Sequence, residues 1–304
     1  MILSPLWLPV TLAAALFQCW RTALQQRLRG ELSVNAAAVV RYLYGVPVGA
    51  ALLLLYLLVV GGAVPAPGLA FLLLCAAGGL MQILGTNLLI MAFGHRGFAV
   101  GTAYAKTEAM QGAFLALVLL GERISLLAWI GIAIGVGGVL WLSLAGRSLT
   151  ARELLRATAQ PAALTGLAAG AAFALTSVLI KAANNALPGD DPVLRALITL
   201  VVTNVLQTVM QGGWLLAREP DQLRAVFATW RSSAQVGALS ACGSACWFTG
   251  FALAPVALVR AVGQVEILFT LLFSRFYLGE SPTRSEIGGA LMLVLGVVLV
   301  LIGR

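Results

Sequence analysis

Charge is what this sequence has least of: Asp, Glu, Lys and Arg together make up 10% of its 304 residues, against roughly a quarter in soluble domains. With 61% hydrophobic residues and a mean hydropathy of +0.98, that scarcity excludes a soluble fold and leaves lipid as the solvent for the outer faces. Histidine occurs once, as His95 in a short connection beside Arg96, so no histidine relay and no Ser/His/Asp set can be assembled. A Walker loop and a paired metal-ligand motif are missing too. No enzyme, cofactor or metal site is expected. The four cysteines, Cys19, Cys75, Cys242 and Cys246, all lie in apolar stretches and read as small packing residues. The first twenty residues contain no Lys or Arg. The positive start of a cleaved leader is therefore lacking, and this segment is predicted to be kept as a first span.

What is present is a series of long apolar runs. No charged residue occurs from Tyr42 to Gly94, which at about 1.5 Å per residue is room for two crossings and a turn. The turn is marked by Gly61-Gly62 and Pro65-Ala66-Pro67. Reading the whole chain in this way predicts an all-α integral membrane protein of ten transmembrane helices, near 5–25, 36–60, 68–92, 98–120, 124–144, 161–182, 193–217, 234–253, 256–278 and 284–302. The net charge of +8 is carried almost entirely between these runs. Its basic residues read as interfacial anchors facing a lipid bilayer, and no nucleic-acid partner is expected.

The two halves resemble each other. Glu108 and Glu122 are 14 residues apart, as are Glu266 and Glu280, and a shift of 158 also places Gly121 on Gly279, Gly131 on Gly289 and Gly138 on Gly296. Residues 1–146 and 161–304 thus read as two repeats joined by a basic linker, 147–160. Five helices is an odd number, so the second copy enters the membrane from the opposite side and the repeats are inverted.

Leu120-Gly121-Glu122-Arg123-Ile124-Ser125 and Leu278-Gly279-Glu280-Ser281-Pro282-Thr283 fall between the fourth and fifth helix of each half, with Arg41 and Arg195 early in the second helices and Gly-rich last helices. In these marks the chain resembles the EamA-type transporters of the drug/metabolite transporter superfamily. The resemblance implies ten helices, alternating access and a central cavity lined by the first four helices of each half. It implies a metabolite as substrate without naming one. Many relatives have Pro directly after the Glu of the fourth helix, where this chain has Ala109 and Ile267.

Charges inside a span cost about 2.5–3.5 kcal/mol each, which makes a functional role the default reading. The fourth helix carries Tyr104, Lys106 and Glu108, and the repeat-related ninth carries Arg260, Gln264 and Glu266. Tyr104, Glu108 and Gln111 are spaced to share one helix face. Lys106 and Arg260 are the expected anchors for an anionic or zwitterionic small-molecule substrate, with Glu108 and Glu266 pairing with them or carrying a coupling proton. The alternative is a set of structural salt bridges, with Arg260 snorkelling to the membrane edge. Further polar stripes are Gln18, Arg21, Thr22 and Gln25; Gln82, Thr86 and Asn87; Asn204, Gln207 and Gln211; and Ser240, Ser244 and Trp247. Trp20, Tyr104 and Trp247 are candidate aromatic walls. Glu122 and Glu280 read as structural, each placed where a carboxylate meets the positive end of the next helix.

The leading expectation is a secondary transporter of a small organic metabolite, amino-acid-like for example, in a bacterial inner membrane. With no ATP site it is driven by a gradient or runs as exchange. A lipid flippase and a non-transporting scaffold are the alternatives, and the buried charges argue against the scaffold. The bias of Arg towards connections 1–2, 3–4, 5–6, 7–8 and 9–10 predicts termini facing away from the cytoplasm. The family resemblance implies cytoplasmic termini.

Overall fold

The computed structural model describes residues 4–28, 30–92, 104–144, 161–273 and 283–304. In chain order its helices are α1 (Trp7–Leu28), α2 (Val34–Leu43), α3 (Gly45–Val60), α4 (Leu69–Ala92), α5 (Glu108–Leu120), α6 (Leu126–Leu144) and α7 (Pro161–Ala186). They continue with α8 (Pro192–Gln207), α9 (Gly213–Arg218), α10 (Pro220–Ala228), α11 (Trp230–Leu253), α12 (Val256–Gly263), α13 (Glu266–Phe273) and α14 (Arg284–Ile302). No strand occurs among the described residues.

Among the described residues, seven stretches are long and apolar enough to cross a membrane: Val34–Val60, Leu69–Met91, Leu126–Ser143, Ala163–Ala186, Pro192–Arg218, Trp230–Leu253 and Ser285–Ile302. The other three predicted crossings fall on helix that does not meet this test. In α1 the polar side chains of Gln18, Arg21, Gln25 and Arg27 dilute the apolar run. α5 has 13 residues, and the ninth predicted helix is divided into α12 and α13. The linker 147–160, His95 and Glu280 lie outside the described residues.

Helix ends follow from local chemistry. Ser33 caps α2 by accepting the Ala36 N–H, and Asp191 caps α8 by accepting from Val193 and Leu194, with Pro192 at the first helical position. Thr283 and Glu286 form a reciprocal capping box at the start of α14. α5 ends at Gly121, whose φ of 67° is a left-handed cap. Pro47 lacks the N–H that would reach Leu43, which separates α2 from α3 at Tyr44. Within the Pro192–Arg218 span, residues Thr208–Gly212 form a π-turn.

The chain forms two compact units, one of Met1–Ile83 with Thr176–Ala254, the other of Leu84–Leu175 with Pro255–Arg304. Each draws on both of the sequence segments 1–146 and 161–304. In the first unit, α1, α2, α9, α10 and α11 enclose a cluster of Leu28, Leu32, Val40, Leu215, Val226 and Val236. Above it the Glu219 carboxylate accepts from Ser33 Oγ at 2.6 Å and Asn35 Nδ2 at 3.2 Å, and Gln222 Oε1 accepts the Ser33 N–H at 2.7 Å. A second cluster joins Phe71 and Cys75 to Ala183, Leu187, Leu194 and Ile198.

In the second unit α6 and α14 cross backbone to backbone. A Cβ on Gly131 would lie 2.7 Å from the Gly296 carbonyl oxygen, and one on Gly138 would lie 2.8 Å from that of Gly289. Lipid gives no hydrophobic drive for helix association, so this contact rests on close packing that glycine alone permits. The Ser125 hydroxyl donates to the Gly303 carbonyl at one end of the crossing, and Trp141 Nε1 donates to Ser285 Oγ near the other.

Candidate functional site

The second unit gathers the four charges that the sequence singles out. Residues 104–105 are helical, Lys106 and Thr107 are turn, and helix resumes at Glu108. The same happens between α12 and α13, where Gln264 and Val265 are turn and helix resumes at Glu266. The Gln264 and Val265 N–H groups fall back on the Ala261 and Val262 carbonyls, and that of Thr107 on the Tyr104 carbonyl. These i→i−3 bonds mark a locally tightened turn, and since Thr107 and Gln264 keep right-handed helical dihedrals the chain carries on in the helical sense through each break. No proline is involved at either place, so the departure at Ala109 and Ile267 does not abolish the breaks. The stretch that carries Tyr104, Glu108 and Gln111 contains the tightened turn at Lys106–Thr107, and Gln111 donates to Thr107 Oγ at 2.8 Å and to the Leu167 carbonyl at 3.4 Å.

The charges pair across the two breaks. Lys106 Nζ lies 2.9 Å from Glu266 Oε2, and Arg260 Nη1 lies 3.4 Å from Glu108 Oε1. Arg260 is also within 3.4 Å of the Phe173 carbonyl, and Gln264 Nε2 donates to the Lys106 carbonyl at 3.2 Å. Arg260 and Glu266 are each only 9% exposed, so Arg260 turns inward instead of snorkelling. Gly170 brings α7 onto the first break: a Cβ there would meet the Ala105 carbonyl at 2.9 Å and Gln111 Nε2 at 3.1 Å. Tyr104 is buried beside it. Each pair leaves its partners only partly solvated, and removing one member of such a pair exposes the other to the full cost of an unpaired buried charge.

The first unit holds the remaining predicted residues in separate places. Trp247 Nε1 donates to Gln18 Oε1 at 3.1 Å, and its ring stacks on Phe251 at 6.0 Å between centroids. Gln207, fully buried, donates through Nε2 to the Gly79 carbonyl at 3.1 Å and to Gln82 Oε1 at 2.7 Å. Asn204 is buried beside Gly45. Arg21 is half-buried on α1, and Trp20, offered as an aromatic wall, is 57% exposed.

Residues 160–302 match the model of the EamA-like transporter family. The second half is an EamA domain. The match is consistent with an EamA-type transporter of the drug/metabolite transporter superfamily; Arg260, Gln264 and Glu266 lie inside it and Lys106 and Glu108 before it. A solved structure described as "Crystal structure of protein" covers 97% of this chain and 98% of its own, with a TM-score of 0.71 and 17% identity. At that identity the likeness is one of fold. No curated protein matches the chain.

Glu122 has a partner that its sequence position does not suggest: its Oε2 accepts the Val256 N–H at 2.8 Å, at the start of α12. Glu122→Ala should lower stability by about 1 kcal/mol, the usual worth of a helix cap, and leave ligand affinity unchanged. Thermal melting of detergent-purified protein with and without ligand measures both.

Sequence reasoning missed the two helix breaks and the use of the Phe173 and Leu167 carbonyls. The breaks had no glycine or proline to announce them. The available signal was that Lys106-Thr107 and Gln264-Val265 coincide under the same shift of 158 that aligns the glutamates.

Proposed function

We propose that the protein is a secondary transporter in which the paired breaks at Lys106–Glu108 and Gln264–Glu266 form the binding and coupling centre for a small anionic or zwitterionic organic metabolite. The observation that carries this reading is the reciprocal pairing of Lys106 with Glu266 and of Arg260 with Glu108 at two interrupted helices. Interrupted helices recur at the binding sites of transporters; here the N–H groups of Ile267, Leu268 and Phe269 are bonded to the Gln264 and Val265 carbonyls, so recognition rests on the charged side chains. In this structure each cation is closed by a carboxylate. An anionic substrate group competes with that carboxylate for Lys106 or Arg260, and a proton taken up by the displaced carboxylate keeps the centre neutral. Substrate entry and proton uptake are thereby linked, with no covalent step.

The reading extends to ten crossings in two inverted repeats working by alternating access in a bacterial inner membrane. Its support is that both breaks fall at positions related by 158. The α6–α14 contacts map onto each other under the same shift, since Gly131 meets Gly296 while Gly138 meets Gly289. That exchange is what an antiparallel two-fold relation between repeats produces.

The test begins with thermal shifts of detergent-purified protein against amino acids, organic and phosphorylated anions, nucleotide sugars and amines. The stabilising ligand is then followed into proteoliposomes. Wild type is expected to be stabilised by anions or zwitterions and to accumulate them, and Glu108→Gln is expected to abolish uptake. Stabilisation by amines alone, or unchanged uptake in Glu108→Gln, removes the centre from the mechanism.

A further inference from the structure

A cavity of about 340 Å³ opens in the first unit, between the connection that follows α3 and the one that precedes α8. Its rim includes Pro65, Pro188 and Gly189, and its polar wall consists of Asp190, Asp191 and Arg195. None of these belongs to the charge centre of the second unit, and the inference does not rest on that centre.

The three charged residues differ in what they already do. Asp191 is fully engaged: Oδ1 accepts from the Val193 and Leu194 N–H groups at 2.9 and 3.1 Å, and Oδ2 accepts the Tyr56 hydroxyl at 2.8 Å. It ties the α8 start to α3 and fixes the wall. Asp190, the exposed neighbour, makes no side-chain hydrogen bond or ion pair among the described residues. Neither does Arg195, whose Nε is buried without a partner. A free carboxylate and a free guanidinium therefore line one cavity without coming within the 4.0 Å of an ion pair. Arg195 stands on the first turn of α8, which Asp191 caps, and Asp190 lies in the connection before it, behind Pro188 and Gly189, whose φ is 112°. The volume lies at the lower end of the range for small-molecule pockets, roughly 300–1,000 Å³.

We infer that this cavity binds a zwitterion, with its ammonium on Asp190 and its anionic group on the forked N–H donors of Arg195. Two sources carry that chemistry, a free α-amino acid and the head group of an ethanolamine phospholipid at the membrane surface.

The test is equilibrium binding of radiolabelled L-alanine to the full chain in detergent, with ethanolamine, propionate and phosphoethanolamine as competitors. It is followed by binding in nanodiscs of phosphatidylethanolamine or phosphatidylglycerol. All of it is repeated in the Lys106→Met/Glu266→Met background. The expected result is saturable binding that phosphoethanolamine displaces and the two singly charged analogues do not. Asp190→Asn and Arg195→Gln should each weaken it roughly tenfold or more, as loss of a charge-assisted hydrogen bond does, and Arg195→Lys should retain part of it. Blockage of L-alanine by phosphatidylethanolamine discs, but not by phosphatidylglycerol discs, identifies the lipid head group as occupant and supports the site equally. Persistence of binding in the Lys106→Met/Glu266→Met chain, which lacks the proposed transport centre, separates this cavity from that centre. Absence of zwitterion binding, unchanged affinity in both charge-removing variants, or displacement by ethanolamine or propionate as readily as by L-alanine overturns the inference.

Discussion

Glu266→Gln is expected to abolish transport and to destabilise the protein, whereas the double variant Lys106→Met/Glu266→Met regains the stability and stays inactive. The single change leaves the Lys106 ammonium, 2.9 Å from the lost carboxylate, without its counter-ion in a largely buried place. The usual cost of such a break is about 3–5 kcal/mol. Replacing both charges by apolar groups of similar size is commonly neutral or stabilising, so the double variant restores folding if the pair has a purely mechanical role, and restores uptake with it. On the proposed mechanism uptake stays at least about a hundredfold down, because no cation remains at that break to receive the substrate and no carboxylate to receive the proton. Thermal melting and proteoliposome uptake on the same preparations decide between the two. A double variant that melts like wild type and transports like wild type assigns these charges to structure.

The second large effect concerns the α6–α14 crossing. Gly296→Val should prevent stable folding in detergent, with a loss of several kcal/mol. The first side-chain carbon alone would lie 2.5 Å from the Gly135 N and 2.6 Å from the Gly131 carbonyl oxygen. Backbone atoms of the facing helix cannot turn aside as a flexible side chain can, so the helices must separate. Overpacking a close contact typically costs about 1–3 kcal/mol, and here the lost carbonyl and main-chain contacts run along the crossing. Gly288→Val is the control on the same helix, since nothing lies within 4 Å of a Cβ there. Size-exclusion profiles and melting temperatures of the two variants should diverge. Similar behaviour of both removes the tight crossing as a source of stability.

Much of this was legible in the amino-acid order because lipid simplifies the code. A run of apolar residues of spanning length has few alternatives to helix, and caps such as Asp191-Pro192 and Ser33 announce their ends directly. The correspondence of Glu108 with Glu266 and of Glu122 with Glu280 under a shift of 158 was legible because acidic residues are few, 11 Asp and Glu in all. Partner choice was another matter. Spacing places Lys106 and Glu108 on one segment, but it does not say that each reaches across to the other break. Glu122 likewise could be assigned to a helix N-terminus by its chemistry, while the helix concerned, α12, lies 134 residues away. The free charges of Asp190 and Arg195 were invisible for the opposite reason. Residues five apart around a helix start look like an ordinary ion pair until the structure shows that they do not meet.

The π-turn at Thr208–Gly212 has a consequence for how this chain tolerates change in length. One residue more than an α-helix needs is housed there, and each residue in a helix turns the chain by about 100°. Everything beyond it, including the exposed Trp214 and Leu216, is rotated by that amount relative to an uninterrupted continuation of α8. Deleting a single residue from this stretch would let the helix close up as regular α and leave that outer end facing the neighbours it has now, while Asn204 and Gln207 kept theirs. The bulge thus absorbs a change of one residue in length. Insertions and deletions can accumulate at the outer end of the span without reaching the polar contacts made deeper in it.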